Sequence, residues 1–199
     1  MSRTSSEVIV STLDPRSPFV LDTRELGRRA GAMKTKQFSV AAPADLSLGT
    51  IGVPAGSEVE FDLKLESVME GVLVTGTALV TIEGECARCL EPLSFDSEVD
   101  VTELFEYPDT DARGRVLSDE ESEDELPKLE GDFLDLEPLL RDAVVLALPA
   151  KPLCQPGCLG LCVECGANLN LEPNHQHQLV DPRWAALADL TTQERSTED

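Results

Sequence analysis

Long apolar runs are missing from this 199-residue chain, and positive charge is scarce over most of its length. The most apolar stretch, Ala143–Ala150, falls far short of the roughly 20 residues a helix needs to cross a bilayer, so no membrane span is expected. The opening MSRTSSEVIVSTLDP lacks the apolar core of a secretory signal, and a cytoplasmic protein is the expectation. Catalytic signatures are absent too. There is no glycine-rich phosphate loop, no G-x-S-x-G, and neither histidine sits beside an obvious nucleophile. The carboxylates come in runs, which reads as surface rather than as a tuned acid–base pair. A protein that is not an enzyme is expected.

The formal net charge is −22, and it is uneven. Residues 1–40 carry a net +3, which leaves −25 on the other 159. A body this acidic repels phosphate backbones and favours basic protein partners, although acidic surfaces also serve simply to keep proteins in solution. The exception is a basic segment, Arg24, Arg28, Arg29, Lys34 and Lys36, the candidate nucleic-acid-binding residues; three arginines on a short element are otherwise an ordinary solvated face.

What the chain does have is cysteine in two places. Cys86-Ala-Arg-Cys89 holds two, and CQPGCLGLCVECGANLN, Cys154–Asn170, holds the other four. In a reducing compartment such clustering argues for metal rather than disulfides. The C-x2-C steps Cys86/Cys89 and Cys162/Cys165 have zinc-knuckle spacing, and Gly166 supplies the backbone freedom such a turn uses. A structural Zn2+ site is expected, with Cys86, Cys89, Cys154, Cys158, Cys162 and Cys165 as candidate ligands. Four ligands must come from six thiols. Cys86 and Cys89 can join Cys154 and Cys158, or join Cys162 and Cys165, or the last four can close a local site. A site stitched across the chain is favoured, because it ties a helix end to a hairpin tip. Cys158-x3-Cys162-x2-Cys165 also matches the spacing of a radical-enzyme iron–sulfur cluster, but no βα repeats precede it. A redox dithiol lacks the βαβ context it needs. His175 and His177 lie in a polar tail, where H-x-H is expected to be surface.

Along the chain, 7–12 alternates as a short strand, 22–31 reads as a brief helix closed by Gly31, and 37–41 as a strand. Val59, Phe61, Leu63 and Leu65 alternate with charged residues, the period-2 pattern of a strand with one wet face. Residues 72–82 continue it with a bulge expected at Gly76, and Leu93, Phe95, Val99 and Val101 alternate again, so Cys86–Cys89 falls at a hairpin tip. Residues 109–131 contain DEESEDE and read as an acidic disordered loop. Residues 133–148 have the i, i+3, i+4, i+7 pattern of a helix with Asp135 as N-cap and Pro138 in the first turn; a short helix is expected from Asp181, and 191–199 is expected to fray. The expected fold is α+β: a mostly antiparallel β-sheet or partly closed barrel, with a covering helix and a zinc-knuckle region. Its parts are a β-rich 1–108, the 109–131 loop, and a helix and cysteine cluster over 132–190 that forms one domain with 1–108.

The C-x-R-C-L-E-P of Cys86–Pro92, the acidic loop, the LALP of Leu146–Pro149 and the C-x3-C-x-G-L-C-x2-C-G-x-N-L-N of Cys154–Asn170 together resemble the YceD family, the large ribosomal RNA subunit accumulation proteins, over about residues 5–190. The resemblance implies a role in accumulation of 23S ribosomal RNA and large-subunit biogenesis. It also implies that Cys86, Cys89, Cys154 and Cys158 are the more widely shared part of the pattern, which tilts the ligand choice toward the first set. Joined to the charge, it suggests a factor that holds a basic ribosomal protein or a large-subunit assembly intermediate, with ribosomal RNA met indirectly. The alternative is a pre-ribosomal RNA processing factor that contacts RNA through the 24–36 segment.

Overall fold

A computed structural model describes residues 13–108 and 126–177. The strand expected over 7–12, the DEESEDE run and the helix expected from Asp181 lie outside the described residues. The chain divides into a larger unit, residues up to 86 with 91–154, and a smaller one, 87–90 with residues from 155 on.

The larger unit is mostly antiparallel sheet. Its strands are β1 (Val20–Asp22), β2 (Met33–Ala41), β3 (Ser47–Leu48), β4 (Ile51–Gly52), β5 (Glu58–Ser67), β6 (Gly71–Glu85), β7 (Pro92–Glu106) and β8 (Phe133–Asp135), followed by one helix, α1 (Glu137–Ala147). β7 takes one whole edge of β6, while β5 and then β4 share the other; β2 lies outside β5 and β3 outside β4. β1 and β8 form a separate two-stranded ribbon. The sheet is open and does not close into a barrel.

Period-2 alternation sorts the faces of the central strands. Val59, Phe61, Leu63 and Leu65 of β5 and Val72, Val74, Ala78, Val80 and Ile82 of β6 are buried, as are Val99, Val101 and Phe105 of β7. They form one cluster with Leu21 and Leu134 of the ribbon and with Leu140 and Val144 of α1. Each such fully buried side chain contributes about 1.5–3 kcal/mol. Phe95 departs from the expected pattern and is exposed, although its β6 partner Ile82 is buried.

Several expectations need correction. The 22–31 segment is a series of turns, not a helix. Thr23 is drawn to Asp132, whose carbonyl accepts from both its N–H (2.9 Å) and its hydroxyl (2.8 Å). Leu26 and Gly27 N–H both turn back to the Thr23 carbonyl, and Gly27 at φ 69° then ends the turn. The helix expected from Phe133 begins later, because Phe133–Asp135 is paired with β1. The N-cap position is Leu136, and Asp135 Oδ1 accepts from the Glu137 N–H at 2.9 Å. The end of the expected 109–131 loop is built into the fold: Leu129 is buried and its N–H bonds the Glu106 carbonyl.

Gly76 is not a bulge. Pairing runs through it one residue to one, with Leu63 on one side and Val101 on the other. It has φ 153°, and a Cβ there would lie 2.1 Å from the Asp62 carbonyl oxygen of the neighbouring strand. Glycine is required by the close approach of two backbones. Gly76→Ala is therefore expected to destabilise the larger unit by about 2–4 kcal/mol, read as a lower urea midpoint with unchanged slope; a shift under about 0.5 kcal/mol would contradict the close-approach account.

Candidate metal centres

β6 and β7 remain paired out to Glu85 and Pro92, which leaves residues 86–91 as the turn that carries the first cysteine pair. The Cys86 N–H donates to the Glu91 carbonyl at 2.9 Å. Leu90, the residue after Cys89, sits at φ 60°. A non-glycine residue there costs about 1 kcal/mol or more, so the turn is held against its own preference.

In the smaller unit, residues 155–177 are organised by hydrogen bonds around the second cysteine cluster. Gly157 at φ 79° and the Cys158 N–H bond to Gln155 close the C-x3-C turn. The Leu161 N–H reaches the Arg88 carbonyl at 3.2 Å; beside it a Cβ on Gly160 would lie 3.1 Å from that same oxygen. Asn170 links the segment. Its Oδ1 accepts from the Leu159 N–H at 2.8 Å, and its Nδ2 donates to Cys158 Sγ at 3.3 Å. A donor aimed at sulfur favours the thiolate over the thiol.

None of the six cysteines is in a disulfide. The sulfurs of Cys86, Cys89, Cys154 and Cys158 all lie within 4.8 Å of one another, and all but Cys154 are buried. Zn–S bonds of about 2.3 Å in a tetrahedron require sulfurs about 3.8 Å apart, so this donor set fits a tetrahedral ion after small movements. The group is the first of the three arrangements open from spacing.

Cys162 and Cys165 lie elsewhere, with His175 and His177, and these four ligand atoms also fall within 4.8 Å of one another. Cys165 Sγ is 3.1 Å from His175 Nε2 and 3.2 Å from His177 Nε2, and the two Nε2 atoms are 2.8 Å apart. The Cys162 thiol is lowered to about 6, first by the Cys165 backbone N–H and then by that of Glu164, both of which donate to its sulfur. Either group can hold a metal ion. The histidines, expected to be surface, are candidate ligands that spacing did not favour; the signal available was an H-x-H ten residues beyond a C-x2-C-G knuckle.

The basic segment is engaged with carboxylates and rings of its own unit. Arg24 Nε donates to both Asp22 oxygens and its guanidinium lies 5.6 Å from the Phe133 ring centre. The Arg24 bonds, side chain first and backbone second, hold the Asp22 carboxyl down at about 2. Arg28 pairs with Asp132 at 3.3 Å and stacks 4.9 Å from the Tyr107 ring centre. Lys34 pairs with Glu25, and Lys36 Nζ donates to the Asp22 carbonyl. Arg29 is exposed. No helix among the described residues is long and apolar enough to cross a membrane.

Residues 74–191 match the family model described as "Large ribosomal RNA subunit accumulation protein YceD". Among curated proteins, the chain is 44% identical over 181 residues to Rv2926c of Mycobacterium tuberculosis, covering 91% of this chain and 85% of the relative. It is 38% identical to ML1660 of Mycobacterium leprae, over 87% of this chain and 78% of that protein. With YlbN of Bacillus subtilis it shares 26% identity over 67% of this chain and 72% of that protein. No solved structure matches it. With the cysteine pattern, the family match and this level of identity pointing the same way, the chain belongs to the YceD family.

Proposed function

We propose that this protein is a non-catalytic factor in large-subunit ribosome biogenesis that supports accumulation of 23S ribosomal RNA. On this reading it works in the cytoplasm and binds a basic ribosomal protein or an assembly intermediate, meeting ribosomal RNA only indirectly. Membership of a family described by ribosomal RNA accumulation supports the process. The observation that carries the binding mode is the exposed face of the central sheet. There Glu58, Glu60 and Asp62 of β5 and Asp96, Glu98 and Asp100 of β7 are all exposed, and β6 between them offers only Thr77, Leu79 and Thr81 to that side. Glu60, Leu79 and Glu98 form one row and Asp62, Thr77 and Asp100 the next. Across them runs a shallow groove of about 520 Å³ that Gln37, Ser39 and Phe38 border on the β2 side. Such a face attracts a lysine- and arginine-rich segment and repels RNA. The alternative, direct RNA contact through residues 24–36, has less support, since Arg24, Arg28 and Lys34 are paired with carboxylates.

Zinc at Cys86, Cys89, Cys154 and Cys158 is part of the same reading. When bound it neutralises thiolate charge and supplies folding free energy, with no role in a reaction. Cys86→Ser and Cys158→Ser are each expected to lower zinc content by one ion per chain, measured by mass spectrometry on protein purified under reducing conditions. Iron in place of zinc, or undiminished metal in both variants, would reject the assignment.

Binding is tested by pull-down of ribosomal proteins at physiological salt. The wild type should recover a basic large-subunit protein, and Glu60→Lys with Glu98→Lys should weaken its binding about 10-fold or more, about 1.4 kcal/mol. Recovery of RNA instead, abolished by reversing Arg24 and Arg28, would establish the RNA-contacting alternative.

A further inference from the structure

We propose that Cys162, Cys165, His175 and His177 form a second zinc site, separate from the four-cysteine group, so that the chain carries two ions. The first ground is that the Cys162–Cys165 turn repeats the backbone of the Cys86–Cys89 turn. In both, the N–H of the first cysteine donates to the carbonyl five residues on: Cys86 to Glu91 at 2.9 Å, and Cys162 to Ala167 at 2.8 Å. The residue after the second cysteine is left-handed in each, Leu90 at φ 60° and Gly166 at φ 74°. Two turns unrelated in their flanking sequence share the geometry that wraps two sulfurs around a single point.

The second ground is the orientation of His175. Its Nδ1 lies 3.0 Å from Glu172 Oε2. A carboxylate only accepts, so Nδ1 carries the proton, and in the neutral ring Nε2 then presents a lone pair. That lone pair faces Cys165 Sγ and His177 Nε2, at 3.1 and 2.8 Å. An imidazole held by a carboxylate on one nitrogen, with the other turned into a cluster of donors, is the arrangement of a metal-bound histidine and its supporting group. A zinc ion with nitrogen ligands at about 2.0–2.1 Å and sulfur ligands at about 2.3 Å would set these atoms about 3.3–3.8 Å apart, a few tenths of an ångström wider than they now lie.

The third ground is the loop between the two pairs. Successive turns carry it back: Leu171 and Glu172 N–H to the Asn168 carbonyl, then His175 N–H to the Glu172 carbonyl. Leu171, in the middle of this loop, is 78% exposed and does not anchor it. Two thiolates with two imidazoles select zinc among common biological divalent ions by softness and tetrahedral geometry. They also leave the site neutral, whereas four thiolates around zinc leave two negative charges. Cys165 and His177 are exposed, so this ion should be the first one a chelator removes.

The test is metal stoichiometry and Co2+ substitution on the full chain. Wild type is expected to bind two zinc ions and the His175→Ala/His177→Ala double variant one. Cys86→Ser/Cys89→Ser should keep the second ion, which separates failure of this site from failure of the four-cysteine reading. Co2+ protein should show charge-transfer absorbance from six thiolates and a visible band for mixed sulfur–nitrogen ligation, and the histidine variant should lose that band while its circular dichroism is unchanged. One ion per wild-type chain, or two ions retained in the histidine variant, would overturn the proposal.

Discussion

Four sulfurs held within 4.8 Å of one another pose an electrostatic problem that the rest of the cysteine-rich region is arranged around. As thiols they would be poorly matched donors packed together; as thiolates they would repel one another. A divalent cation resolves both. The need for one is greatest in the smaller unit. No residue of 87–90 or 155–177 belongs to the buried apolar cluster, and Leu90, Leu159, Val163 and Leu171 are all exposed. A segment of this size without an apolar core cannot offset its chain entropy by hydrogen bonds such as those of Asn170 alone. On the reading proposed above, metal ligation is the missing contribution, as in other small metal-dependent folds.

The larger unit solves the opposite problem. Its sheet buries apolar rows on one face, which leaves the other face available for charge. Like charges directly across strands destabilise a sheet. Here that cost is reduced because Leu79 and Thr77 of β6 separate Glu60 from Glu98 and Asp62 from Asp100. Across these two rows the central strand places uncharged residues between the acids of its neighbours. That spacing matches a face kept negative for a partner, at an energetic cost the apolar face can bear.

The central strands are legible in the sequence because β5 to β7 are half-buried, and half-burial writes itself as alternation; Val59 to Leu65 needs no other information. The elements that periodicity misassigns depend on distant residues. Residues 22–31 have helical spacing, yet Asp132 captures Thr23 from more than a hundred positions away. Phe133–Asp135 shares the helical pattern of α1, but β1 claims it as a strand. A glycine inside a strand has two meanings, bulge or close approach, and at Gly76 only the position of Asp62 tells them apart. At the site, spacing identifies the cysteines and their knuckle turns but does not sort six thiols into groups. His175 and His177 are hidden for a related reason: a polar H-x-H carries no periodicity, and what marks it is Glu172 behind one ring and Cys165 in front.

The two knuckle turns also differ in an informative way. Gly166 occupies its left-handed position at no steric cost, whereas Leu90 occupies the equivalent one under strain. Strain of this kind persists where surrounding structure fixes the backbone, and the Cys86–Cys89 turn is fixed by the ends of two 15-residue strands. The Cys162–Cys165 turn is flanked only by the single antiparallel bridge Leu161–Asn168 and uses glycine. A long hairpin can hold a strained turn in place; a turn closed by one bridge does better with a residue that adopts the geometry freely. On the proposed two-ion reading, the Cys86–Cys89 turn is preorganised for its ion, while the Cys162–Cys165 turn reaches the same backbone geometry through glycine.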